Sequence, residues 1–238
     1  KALGGRDLDA DATARRAEQQ NNVGSGLVFL ALMLLRVGVF LGLLTFFAGQ
    51  VRAQVHQVPQ AALQHLPTLQ QQLDQVWPDM PQPAYLGALI EHESCITLTH
   101  PRCWQPTSRL KTAREEGAGL GQLTRAWTQG GALRFDALAD LRAQHPAELG
   151  ALSWANVYQR PDLQMRALVL MSRGNWRALA AVQDPMQRLA MADAAYNGGL
   201  GGLQRERRSC AITAGCDTQS WWGHVEQHCL KSRVALYA

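Results

Sequence analysis

The sequence predicts a mainly α protein: one helical domain preceded by one transmembrane helix. Two observations carry this fold class. Residues 27–47 form a 21-residue apolar stretch broken by a single charge, Arg36. Further along, apolar residues recur at intervals of three and four, and no alternating pattern of useful strand length appears. With 238 residues, 47% hydrophobic and 18% charged, the chain can bury one sizeable core and still carry accessory segments. The formal charge of +4 suits an anionic environment such as a cell wall or membrane surface. No run of Lys or Arg is dense enough to suggest nucleic acid as a partner.

Residues 1–22 are rich in Asp, Ala, Arg and Gln without an apolar stripe, and are expected to form a cytoplasmic tail ordered by partners if at all. The anchor is assigned to 23–50. At 1.5 Å per residue its apolar run spans about 31 Å, the thickness of a bilayer core. Its fifteen Leu, Phe or Val residues outweigh one Arg on the insertion scale. Arg36 either snorkels or faces another subunit of an assembly. Lys1, Arg6, Arg15 and Arg16 precede the span, and Arg52 is the only Lys or Arg between it and Arg102. The N-terminus is therefore expected in the cytoplasm and the remainder outside it, in a periplasm, as a single-pass inner-membrane protein. A signal peptide cleaved after Ala53 competes with this, but the apolar run exceeds a usual signal core. The chain opens on Lys rather than Met, as a processed product or a piece of a longer protein would.

Residues 51–83 read as a Gln- and Pro-rich stalk. Leu63, Leu66, Leu69, Leu73 and Val76 place an amphipathic helix there, interrupted near Pro67 and packed on the domain or on a neighbour. Pro78, Pro81 and Pro83 end it. A helix follows over 84–95, where Leu86, Leu89, Ile90 and Glu93 fall at i, i+3, i+4 and i+7 while Glu91 points to the far side. A carboxyl group held along that stripe is hard to ionise, which suits a general acid. A solvated helix Glu is the alternative.

Two further segments accompany it. Glu-Gly-Ala-Gly-Leu-Gly-Gln-Leu occupies 116–123, and Ala-Ala-Tyr-Asn-Gly-Gly occupies 194–199. With Glu93-Ser94, these segments resemble the soluble lytic transglycosylase family, which cleaves peptidoglycan glycan strands on a lysozyme-like helical domain. The likeness covers roughly 84–203, the expected catalytic domain, and leaves both chain ends unexplained. Here the glycine loop is one residue shorter than the family's, Gly121 stands where the family has Met, and Gly198 where it has Ala.

The resemblance implies a role for each segment. Glu93 protonates the glycosidic oxygen between N-acetylmuramic acid and N-acetylglucosamine. It then takes the proton of the muramoyl 6-hydroxyl as that group closes a 1,6-anhydro ring, so no water and no second carboxylate are needed. Ser94 orients Glu93 or the substrate's acetamido group; a helix-terminal hydroxyl bonded to backbone is the alternative. Gly117, Gly119 and Gly121 let a sugar approach the main chain, Gln122 meets an N-acetyl group, and Tyr196 and Asn197 contact the sugar. A plain loop before a helix and a plain core tyrosine are the competing assignments. Neither cofactor nor metal is expected.

A hydrolytic muramidase would add a second carboxylate to position water, and Glu115, Glu116 and Asp136 are available for it. From another class, a non-catalytic wall-binding or structural component of an envelope-spanning conjugation, secretion or phage-ejection machine would also use an anchor and a stalk, with other subunits of that machine as partners.

Downstream, Phe135, Leu138 and Leu141 read as one short amphipathic helix. Residues 163–179, after Pro161, and 186–196, ending at Gly198, read as two longer ones. All five cysteines, Cys95, Cys103, Cys210, Cys216 and Cys229, lie on the exported side, as an oxidising compartment requires. Cys95 and Cys103 suit one bridge; the other three suit one bridge and one thiol. Metal sets such as His92, Cys95, His100 and Cys103, or Cys216, His224, His228 and Cys229, lack a familiar spacing. The extension 204–238 carries Arg205, Arg207, Arg208 and the pair Trp221-Trp222, which either covers the core or stacks on sugars.

Overall fold

The computed structural model describes residues 58–229. The tail, the apolar span with Arg36, and residues 51–57 therefore lie outside the described residues. Among the described residues, no helix is long and apolar enough to cross a membrane.

Helix α1 (Gln60–Val76) runs through Pro67 without a break, correcting the expected interruption. Proline removes the bond to the carbonyl four residues earlier, but Pro67 and Leu63 both face solvent, where water meets that carbonyl. Leu69, Leu73 and Val76 are buried while Leu63 is 53% exposed. The buried side packs on helix α5 (Pro161–Ala178). Arg166 of α5 donates to the side-chain oxygens of Gln72 and Gln75. Two of the stalk's glutamines thus bind α1 to the domain, and α1 belongs to the main core.

Helix α2 (Ala84–Ser94) buries Leu86, Leu89 and Ile90, as its spacing requires. Beyond it, a Cys95–Cys103 bridge closes a short loop.

A four-stranded antiparallel sheet then takes the place of the expected loop and of the first residue of the expected helix. Strands β1 (Arg109–Lys111), β2 (Glu115–Ala118), β3 (Leu123–Trp127) and β4 (Leu133–Asp136) pair in sequence order. Phe135, assigned by periodicity to a helix with Leu138 and Leu141, belongs to β4 instead. Helix α3 (Ala137–Gln144) starts one residue after the strand ends, where Asp136 accepts the Ala139 amide at 2.9 Å. Three- to five-residue strands show too few alternations for a period of two to register. Glu-Glu-Gly-Ala in β2 is poor strand sequence, held by its partners rather than by propensity.

Short helix α4 (Pro146–Leu149) leads to a single 3₁₀ turn at Val157–Gln159 and then α5. Helix α6 (Pro185–Gly198) starts at Asp184, whose carboxylate accepts the Met186 and Gln187 amides. Helices α5 and α6 carry Pro at the first position, where its missing N–H has no partner to lose. Gly199, at φ +75°, turns the chain into α7 (Leu200–Ala211). The boundary placed at 203/204 falls inside α7. This helix and the 3₁₀ turn Val225–His228 bury Leu203, Cys210 and Val225 against Met191, Ala192 and Ala195 of α6, making a second, smaller core. The fold is therefore mainly helical with a small antiparallel sheet.

Candidate active site

The end of α2, the β-sheet and the end of α6 enclose a cleft of about 970 Å³. Glu93, Ser94, Glu115, Gln122, Tyr196 and Asn197 line it, so the three sequence segments converge on one space. Glu93 is half-buried. It occupies the last turn of α2, where the apolar stripe that covers Leu86 and Ile90 runs out into the cleft rather than into the core.

Several expected roles change. The Ser94 hydroxyl is buried and donates to the Ile90 carbonyl at 2.6 Å while accepting the Trp104 amide at 3.2 Å. It ties the helix end to the disulfide loop rather than orienting Glu93. Glu91 leans away toward the Trp104 indole, 3.4 Å off.

The glycine loop accommodates the protein's own side chains instead of leaving open backbone for a sugar. Gly119, at φ +76°, leaves room for Gln164: a Cβ there would lie 2.3 Å from that side chain's oxygen. Gln164 uses the space to accept the Leu120 amide at 2.8 Å and to donate to the carbonyls of Pro106 and Val157. Gly119 does not line the cleft. A Cβ on Gly121 would lie 2.7 Å from the Tyr196 hydroxyl, which donates to the Gly121 carbonyl at 2.6 Å. Gln122, at φ +44°, donates its side-chain amide to the Gly119 carbonyl at 2.9 Å and still faces the cleft.

Tyr196 lines the cleft, but its hydroxyl is engaged with the loop. Burial first, and then the neighbouring carboxyl groups of Glu93 and Asp193, push that hydroxyl well above the usual tyrosine range, so it remains a donor. Tyr85 of α2 is pushed the same way, by burial first and then by Asp193, to which it donates at 2.9 Å, with a smaller contribution from Glu93. Tyr85 and Asp193 link α2 to α6 beside the candidate acid, and no motif in the sequence marks either of them.

Of the carboxylates available to a hydrolase, two are committed elsewhere. Glu116 is 3% exposed. One of its oxygens accepts from Arg109 (2.5 and 2.9 Å) and the other from Arg125 (2.7 and 3.1 Å). The Arg125 hydrogen bonds, joined by those of Arg109 and opposed by burial, hold its carboxyl below the usual range. Register sets this pairing, since Glu116 and Arg125 lie opposite each other on β2 and β3. Asp136 caps α3 and accepts the Trp154 indole N–H at 2.9 Å. Glu115 does line the cleft, as do Asp140 and Asn175, which no motif or spacing in the sequence marks.

The bridges are Cys95–Cys103 and Cys210–Cys216, which suit an oxidising compartment, and Cys229 stands outside both. They take up thiols that both four-residue metal sets needed. Among the described residues, Cys210, Cys216 and His228 bring ligand atoms within 4.8 Å of one another, but two of the three are bridged. No family model, curated protein or solved structure matches this chain.

Proposed function

We propose that the chain is a lytic transglycosylase that cuts the N-acetylmuramic acid to N-acetylglucosamine linkage of peptidoglycan and leaves 1,6-anhydro ends. The observation that carries this is the shared cleft: one half-buried carboxyl group, Glu93, opens into the space lined by Gln122, Tyr196 and Asn197. Glu93 gives its proton to the bridging oxygen as the anomeric C–O bond breaks. It then recovers a proton from the 6-hydroxyl whose oxygen bonds to the anomeric carbon, so the acid is regenerated and water takes no part. The Tyr196 ring provides a flat wall for a sugar, and its hydroxyl holds the loop that presents Gln122. With an anchor over 23–50, such an enzyme would act in the periplasm, and confinement to an envelope-spanning machine would limit wall damage.

Glu115 favours a second possibility. Because it lines the same cleft, it offers a hydrolytic muramidase a base for water. Mass spectrometry of the muramoyl ends released from wall sacculi by the full chain separates the two. Anhydro ends support the transglycosylase, reducing ends the hydrolase, and no released ends at all would leave a wall-binding or structural role.

A further inference from the structure

On the other side of α2 and α6 lies a second groove of about 570 Å³. Tyr85 and His92 of α2, seven residues apart and so on one face, form one wall. Met186 and Asp193 of α6, likewise seven apart, form the other, and Trp222 of the C-terminal extension closes it. Asn197 and Gly198 line this groove and the cleft alike. His92 and Glu93 are neighbours on α2, one facing the groove and the other the cleft.

We propose that the glycan strand runs on from the cleft across Asn197 and Gly198 into this groove, where the Trp222 indole stacks on an uncharged sugar ring. The inference rests on the glycan-cutting assignment of the cleft.

Trp222 is 51% exposed, whereas its neighbour Trp221 is half-buried against the second core. A large aromatic ring left in solvent gains nothing for folding, yet its backbone is held firmly. The Trp221 amide donates to the Gln187 side chain at 2.6 Å, and the Gly223 amide donates to Glu226 at 2.5 Å. Val225 is fully buried, and Cys210–Cys216 clips the segment upstream. An exposed ring on a fixed support is a preorganised platform. The faces of a pyranose carry C–H groups and its rim carries hydroxyls, so it matches a flat indole beside polar groups such as His92 and the Tyr85–Asp193 pair. The groove's acidic residues, Asp193 and Glu206, disfavour the carboxylate-rich stem peptide as occupant.

The test compares the affinity of the full chain, in detergent and carrying Glu93→Gln to stop cutting, for long peptide-free glycan strands and for a tetrasaccharide too short to span both sites. Adding Trp222→Ala is expected to lower the long-to-short affinity ratio about tenfold, and Trp222→Phe, which keeps a smaller ring, to lower it less. An unchanged ratio overturns the inference, as does a Trp222 effect confined to peptide-bearing strands. In the chain with Glu93 intact, cutting of long strands at a rate indifferent to Trp222→Ala sinks the groove and leaves the Glu93 assignment standing. Binding of long strands through Trp222 with no cutting by that same Glu93-intact chain sinks catalysis instead.

Discussion

The Tyr196 hydroxyl donates a 2.6 Å hydrogen bond to the Gly121 carbonyl, joining the end of α6 to the turn between β2 and β3 across one wall of the cleft. Gly121 is buried, so Tyr196→Phe leaves its carbonyl without that donor, and a loss of about 1–3 kcal/mol is expected. Gly121→Ala pushes a methyl group against the same hydroxyl and against Leu168, and should lose about 1–3 kcal/mol. Because both changes break one contact, the double variant should be less destabilised than their sum in denaturant unfolding. Strict additivity would show that the bond does not couple α6 to the loop.

Under the proposed function, Glu93→Gln keeps the shape of the side chain and removes the acid group. Release of muramoyl ends from sacculi should fall by about 10² to 10⁴, the usual contribution of a positioned acid and base. Retained activity would assign the chemistry to another group. Under the transglycosylase proposal, Glu115→Gln leaves anhydro products in place. If the variant lost all activity and wild type gave reducing ends, the hydrolase would be favoured.

Glu116 links stability to pH. Its folded-state pKa lies below its unfolded value, so its contribution is present above about pH 4.3 and is lost as the pH falls through the folded value. Glu116→Gln should cost roughly 1–3 kcal/mol at pH 7, toward the lower end because Arg109 and Arg125 keep solvent contact. The gap between wild type and variant should narrow as the pH falls from about 4.3 toward the lower folded-state value, where the wild-type carboxylate itself takes up a proton. Melting curves at pH 7 and pH 3 check this, and a gap that widens in acid would refute it.

Replacing Cys95 and Cys103 together with Ser should destabilise the chain by about 2–3 kcal/mol, the entropy of opening so short a loop. Ser94 and Trp104 anchor that loop to the end of α2, so the same variant should also bind sacculi less well. Thermal melts with and without reductant give the first quantity. Wild type should shift on reduction, and the double variant should shift less, through Cys210–Cys216 alone.

Asp184→Ala removes the acceptor for two amides at the start of α6 and should cost about 1 kcal/mol. Asp184→Asn, which caps as well, should restore most of it. Equal losses in both variants would show that charge at the helix terminus, rather than capping, is the source.

Helices α1, α2, α5 and α6 were legible in the sequence because each announces itself locally, whereas α4 and α7 were not read from it. Leu86, Leu89 and Ile90 recur with the helical period, Pro161 stands at the first position of α5, and Gly198 closes α6. The grouping of Glu93 with Gln122, Tyr196 and Asn197 was legible only through likeness to a known family, since no periodicity joins residues that lie 29 and 74 positions apart along the chain. The sheet was not legible, because β2 depends on pairing Glu116 with Arg125 and not on the preferences of Glu-Glu-Gly-Ala. Nor were the fates of the carboxylates. Glu115 and Glu116 are adjacent in the chain, but a strand sends neighbours to opposite faces, so one reaches the cleft and the other is sealed between two arginines. Local rules determine which residues become helix; which side chain faces a cavity, a partner or water depends on contacts between segments remote in sequence, and those exist only once the chain has folded.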